Sequence, residues 1–262
     1  MALDVSGRHG FSARERNPDS GDSMSLGELF TGLGFVVGIA VLIWSGRRGR
    51  IATEGMAKVG VAGLLGGVLG AKLSQLLYEG WPAKVPWYVM FEPRTGGKAL
   101  MGGLLIGWLS VAIAKNVLGI KRSTGDHFAL ALPAGEAVGR IGCHFNQCCY
   151  GRASDLPWTV HQQGLERHPT QIYSSIGAAL LLAALLCLRP RLMREGDLWR
   201  SYLIGFGSIR FGLEFLRENQ PVLAGLSTMQ VLSLELIVFG AVGFLIAARR
   251  DASVPRLESE TP

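Results

Sequence analysis

The stretch Gly139-Arg140-Ile141-Gly142-Cys143-His144-Phe145-Asn146-Gln147-Cys148-Cys149-Tyr150-Gly151-Arg152 emerges from an apolar run, His127–Gly142, that already holds Glu136 and Arg140. Two arginines, two amides, three thiols and three glycines close to one another cannot be inert packing. Burying such polar groups without partners would cost several kcal/mol each. The apolar run must therefore place its charges against protein or water, with the polar segment beyond its end.

The rest of the chain supplies a membrane setting. Hydrophobic residues make up 48% and charged residues only 18%, against about 25% charged in ordinary soluble domains. Glycine occurs 36 times in 262 residues, and small residues let membrane helices approach closely. Apolar runs recur at Leu29–Gly46, Met56–Leu77, Ala99–Ile120, His127–Gly142, Pro169–Leu188, Leu198–Leu216 and Met229–Ala248. A bilayer crossing takes about 20 helical residues. The expected fold is all-α: a polytopic membrane protein, a bundle of about seven transmembrane helices.

Basic residues orient the bundle. Arg47, Arg48, Arg50 and Lys58, then Lys115, Lys121 and Arg122, then Arg189, Arg191, Arg194 and Arg200, then Arg249, Arg250 and Arg256 fall in alternate connections. They account for more than half of the 26 lysines and arginines. The positive-inside rule makes that side cytoplasmic, with the N-terminus outside. These loops also explain the net charge of +6. No concentrated basic patch with aromatic neighbours points to nucleic acid.

Residues 1–25 and 251–262 read as polar tails, leaving 26–250 as one seven-helix transmembrane domain. The loop Tyr78–Gly97 carries Trp81, Trp87, Tyr88 and Phe91, which suit the membrane–water interface.

Charges inside the spans come next. Glu136 and Arg140 stand four apart, as do Arg210 and Glu214, so each pair shares a helix face. An intramembrane charge is costly, faces the bundle interior and marks a functional site by default. The bland alternative is two structural ion pairs. Two arginines converging near the outer side would form a phosphate site, because the guanidinium fork binds phosphate oxygens bidentately. Glu235 in the last run is a single charge open to either reading.

The cysteines offer a rival chemistry. Zinc sites usually show paired spacings, and adjacent Cys148 and Cys149 fit that poorly, so no metal site is expected. An outer location permits a disulfide from Cys143 to Cys148 or Cys149. Cys187, in an apolar span, reads as a packed small hydrophobe.

Gly139–Arg152 resembles the signature of the prolipoprotein diacylglyceryl transferases, which begins Gly-Arg-Ile-Gly, passes an Asn and closes on Gly-Arg. Further segments resemble the family in the same order. Gly96-Gly97-Lys98-Ala99-Leu100-Met101-Gly102-Gly103 resembles its glycine-rich third span, and His168-Pro169-Thr170-Gln171-Ile172-Tyr173 a motif at a span's start. Arg210-Phe211-Gly212-Leu213-Glu214-Phe215-Leu216-Arg217 and Leu226-Ser227-Thr228-Met229-Gln230 resemble its last two.

The resemblance implies an enzyme of the bacterial plasma (inner) membrane. It would move a diacylglyceryl group from phosphatidylglycerol to the lipobox cysteine thiol of a prolipoprotein signal peptide, without metal or organic cofactor. Arg140, Arg210 and Glu214 match the catalytic positions. Gly102, Gly103, Gly142, Asn146, Gly151, His168, Gln171 and Tyr173 match positions expected to meet substrate. Four departures stand out. Met101 replaces a His, Cys143 an Asn, Cys148 a Glu and Thr31 a Tyr. Met cannot accept a proton, so the family's proposed base is missing. The alternatives are a lipid-binding protein of the same fold without this activity, or a redox or metal protein using the cysteines.

Overall fold

The structure, a computed structural model, describes residues 25–48, 53–79, 100–121, 123–192, 194–219 and 221–252. Most of the expected tails and of the aromatic loop Tyr78–Gly97 lie outside them, although α7 runs to Ala252, into the expected C-terminal tail. Among the described residues, each expected span is a helix. They are α1 (Leu26–Arg48), α2 (Thr53–Glu79), α3 (Leu100–Val117), α4 (Gly125–Phe145), α5 (Thr170–Leu188), α6 (Asp197–Glu214) and α7 (Thr228–Ala252). Stretches of α1, α2, α5 and α7 are long and apolar enough to cross a membrane on composition alone. The apolar part of α3, Leu105–Val117, is shorter. The remaining helices, α4 and α6, carry the internal charges.

Small residues set the close crossings. A Cβ on Gly34 of α1 would stand 2.8 Å from the Gly135 carbonyl oxygen of α4. One on Gly207 of α6 would stand 2.7 Å from the Ser233 carbonyl oxygen of α7. Without a hydrophobic drive between helices in lipid, such backbone approach supplies the packing. The buried core joins Ala129 and Leu130 of α4, Leu181 and Leu185 of α5, and Leu198, Tyr202 and Leu203 of α6. A second cluster joins Leu42, Met56 and Ala131. Large apolar side chains such as Trp108, Leu180 and Phe239 face outward. So does Cys187, which is exposed rather than packed as the sequence implied. A helix hydrophobic all round needs no partner on its lipid side.

The basic ends gather on one side. Arg48 and Arg189 both lie over the Trp44 ring, and Ser45 Oγ is 2.9 Å from His127 Nδ1. The Asp126 carboxylate accepts from the backbone N–H of Gly196 and Trp199 at 2.7 and 2.9 Å. It thereby satisfies amides at the start of α6 that have no helical partner.

The opposite end qualifies the all-α expectation. Two small antiparallel hairpins sit there, β1 (Val160–Gln162) with β2 (Leu165–Arg167), and β3 (Pro221–Leu223) with β4 (Leu226–Ser227). Both turns use two residues with positive φ: Gln163 (53°) with Gly164 (75°), and Ala224 (49°) with Gly225 (79°). Two consecutive positive-φ residues match the twist of the flanking strands. Gln and Ala at the first position weaken the sequence signal, which is strongest for Asn-Gly.

Candidate functional site

Two ion pairs stand on neighbouring helices. On α4, the Arg140 Nε and Nη2 both reach Glu136 Oε1 at 3.0 Å. On α6, Arg210 Nη2 lies 3.0 Å from Glu214 Oε2, with the Glu214 side chain 1% exposed. That contact is an ion pair without hydrogen-bond alignment, since Oε2 accepts no hydrogen bond. Glu214 Oε1 accepts from Ser227 Oγ at 2.8 Å and from Asn219 Nδ2. Glu136 and Arg210 line one cavity with Ser174, Phe206 and Leu213. One charge of each pair, Glu136 of α4 and Arg210 of α6, thus faces the same cavity. Arg140 and Arg217 also act electrostatically on Arg210, so three guanidiniums share this end of the bundle.

The segment after α4 is a clamped cap. The Gly151 N–H donates to the His168 carbonyl at 3.1 Å, and the Arg152 N–H to the Leu216 carbonyl at 2.8 Å. A Cβ on Gly151 would stand 2.7 Å from His168 Cβ and 2.8 Å from the Leu216 carbonyl oxygen. Only glycine fits between these two segments. Arg167 Nη1 donates to the Gly151 carbonyl at 3.1 Å, and its guanidinium lies over the Tyr150 ring. Gln171 Nε2 donates to the Cys148 carbonyl at 2.8 Å and to Gln162 Oε1 at 2.9 Å. The cap thus ties the end of α4 to the start of α5 and the end of α6.

The sequence-predicted residues divide. Arg140, Arg210 and Glu214 form the charged centre. Gln171 and His168 are buried in the cap, and His168 Nδ1 has no hydrogen-bond partner. Tyr173 OH accepts from Trp158 Nε1 at 2.7 Å in an exposed contact. Asn146 is exposed at the end of α4, close over α1, where a Cβ on Gly27 would strike its amide. Gly142 meets the Gly27 carbonyl oxygen and the Thr31 side chain. Gly103 packs on Gly67 and Ala71 of α2. Gly102 lies in α3 with surroundings outside the description, as does the Met101 side chain. Sequence reasoning missed Gln162, Arg167 and Asn219. Nothing in their local sequence marks them, because their partners are distant in the chain.

The three cysteines of the motif also converge. The Sγ atoms of Cys143, Cys148 and Cys149 all lie within 4.8 Å of one another, as free thiols. Hydrogen bonds from Cys143 and Cys148 push the Cys149 thiol well below the usual thiol range, helped by Arg217 and Arg140. Cys148, hydrogen-bonded to Cys143 and Cys149, is pushed up. The cluster eases one deprotonation and resists the next.

Comparison with known proteins joins this geometry to a family. The family model described as prolipoprotein diacylglyceryl transferase matches residues 28–246. A phosphatidylglycerol–prolipoprotein diacylglyceryl transferase of Cupriavidus metallidurans is 34% identical over 245 residues, covering 84% of this chain and 88% of that protein. The protein of the same name from Cupriavidus pinatubonensis is 33% identical, covering 84% and 87%. That from Bordetella avium is 33% identical, covering 80% and 84%. The match takes in six helices from within α1 to α6, most of α7, and both ion pairs, and on it the chain belongs to the prolipoprotein diacylglyceryl transferase family.

Proposed function

We propose that this protein transfers a diacylglyceryl group from phosphatidylglycerol to the lipobox cysteine thiol of a prolipoprotein, the first step of lipoprotein maturation. The observation that supports the reading is that Glu136, paired with Arg140, and Arg210, paired with Glu214, line one cavity between α4 and α6. In the reaction the acceptor sulfur attacks the glyceryl carbon that bears the phosphate. A C–S bond forms, the C–O bond breaks, and glycerol phosphate leaves with the electron pair. Charge grows on the leaving phosphate oxygen, so fixed guanidinium donors lower the barrier. Arg140 and Arg210 are assigned that role, and Glu214 orients Arg210.

The thiol must lose its proton to react. Met101 cannot take it. Glu214 and His168 are the candidate acceptors, the latter with an unengaged buried Nδ1. A cationic site also lowers a thiol's pKa, which lessens the need for a strong base. Asn146, Gln171, Tyr173 and the glycines 102, 103, 142 and 151 are assigned to the walls that receive lipid and peptide. Gly142, Gly151 and Gly103 do so indirectly, by bringing helices and cap together.

The basic helix ends on one side support a plasma-membrane orientation with the N-terminus outside and the cap on the outer face. The signal peptide of the acceptor would then meet the cap.

The test is transfer from phosphatidylglycerol to a lipobox peptide by the purified protein. The wild type should transfer. Arg140→Ala and Arg210→Ala should each lose about 100-fold or more, the scale seen on removing one oxyanion donor. Even Arg→Lys should impair transfer, because the fork is lost. A wild type that binds the lipid without transferring it would favour the non-enzymatic alternative.

A further inference from the structure

The three motif cysteines form a site that the transfer reaction does not use. We propose that Cys143, Cys148 and Cys149 hold a soft monovalent metal ion, with the chemistry of copper(I), in trigonal thiolate coordination. The proposal stands independently of the transferase reading.

The geometry is the first support. The three Sγ atoms lie within 4.8 Å of one another. A metal about 2.3 Å from each sulfur sets trigonal sulfurs about 4 Å apart, so small side-chain rotations close the site. The sequence spacing argues against a tetrahedral zinc centre, but folding changes the count. Cys143 lies in the last turn of α4, and the chain doubles back through Gln147 and Cys149, at φ values of 49° and 59°. That turn brings two adjacent cysteines beside the third.

The backbone is held and the thiols are left exposed. The Cys148 N–H donates to the Cys143 carbonyl at 3.1 Å. The Cys148 carbonyl accepts from Gln171. The Cys149 carbonyl accepts from Thr170 Oγ1 at 2.9 Å and Arg217 Nη2 at 2.8 Å. Non-glycine residues with positive φ persist only where surroundings impose them, and these bonds do so. Cys148 and Cys149 are exposed and Cys143 is half-buried, which leaves an entry path. The outer support fixes ligand positions before an ion arrives.

Ligand type and charge select the ion. Soft thiolates select copper(I), zinc and iron–sulfur clusters, so the number of ligands decides among them. Three ligands satisfy copper(I), whereas structural zinc sites take four. Three thiolates around a monovalent ion carry a net charge of −2. Arg140 and Arg217 lie within electrostatic reach of Cys149 and offset that charge.

The experiment uses the full-length protein in detergent, reduced and kept anaerobic, titrated with copper(I) against a chromogenic copper(I) chelator. One ion per protein is expected. X-ray absorption should show three sulfur scatterers and no nitrogen or oxygen. Cys143→Ser, Cys148→Ser and Cys149→Ser should each weaken binding by more than about tenfold, while Cys187→Ser should bind as wild type. Undiminished binding in the three single variants would overturn the proposal, as would a first shell of two sulfurs. So would failure of the reduced wild type to compete with the chelator.

Discussion

At the residue scale, Glu214 is the most enclosed charge of the two pairs, and it has two possible duties. It can compensate Arg210 structurally, or hold that guanidinium where a phosphate needs it. Glu214→Gln retains an acceptor for Ser227 but leaves Arg210 without its counter-charge. Removing one partner of a buried pair costs about 3 kcal/mol or more, so thermal stability in detergent should fall, and transfer should fall by about 100-fold. Arg210→Met with Glu214→Gln should recover much of the stability and none of the transfer, because only the chemistry needs the charge. Equal recovery of both would make the pair structural. Met101→Ala should cost little beyond packing, and Met101→His should be tolerated, since proton removal is placed elsewhere. Loss of transfer in a folded Met101→Ala protein would reveal a role for that side chain. These charges were legible in the sequence because an arginine in an apolar helix demands an explanation. Gln162 and Arg167 were not, because nothing local separates a buried loop polar group from a solvated one.

At the element scale, the cap and the helix crossings depend on absent side chains. Gly151→Ala would place a methyl 2.7 Å from His168 Cβ and 2.8 Å from two carbonyl oxygens. Overpacking of this kind costs about 1–3 kcal/mol, and here it also parts the end of α4 from α5 and α6. Melting temperature and transfer should both fall. Gly212→Ala, where an added Cβ meets nothing within 4 Å, should keep both. In the same way Gly34→Val should weaken the α1–α4 crossing, read as faster proteolysis in detergent. The helices themselves were readable from apolar runs, since a span must satisfy its own backbone bonds in lipid. The hairpins were not. Each strand is only two or three residues long, too short for alternation to register.

At the scale of the whole molecule, the basic ends of α1 and α5 meet around Trp44, near Asp126, and the cap lies opposite. Reporters fused after Arg50, Arg122, Arg194 and Arg250 should all read cytoplasm, and one after Glu166 should read the outer side. Reversal at two sites would overturn the orientation. The membrane class, the seven helices among the described residues with their approximate bounds, and the intramembrane charges could all be read from the sequence. Each is a one-dimensional consequence of how much polar surface lipid tolerates, and motif order added the family. Tertiary structure alone decided that Glu136 and Arg210 line one cavity, that Glu214 is closed in by Ser227 and Asn219, and that Cys143 stands beside Cys148 and Cys149. Those contacts join α4 to α6, α6 to β4, and a helix end to a left-handed turn. Their geometry depends on helix crossings and backbone turns, which spacing along the chain does not encode.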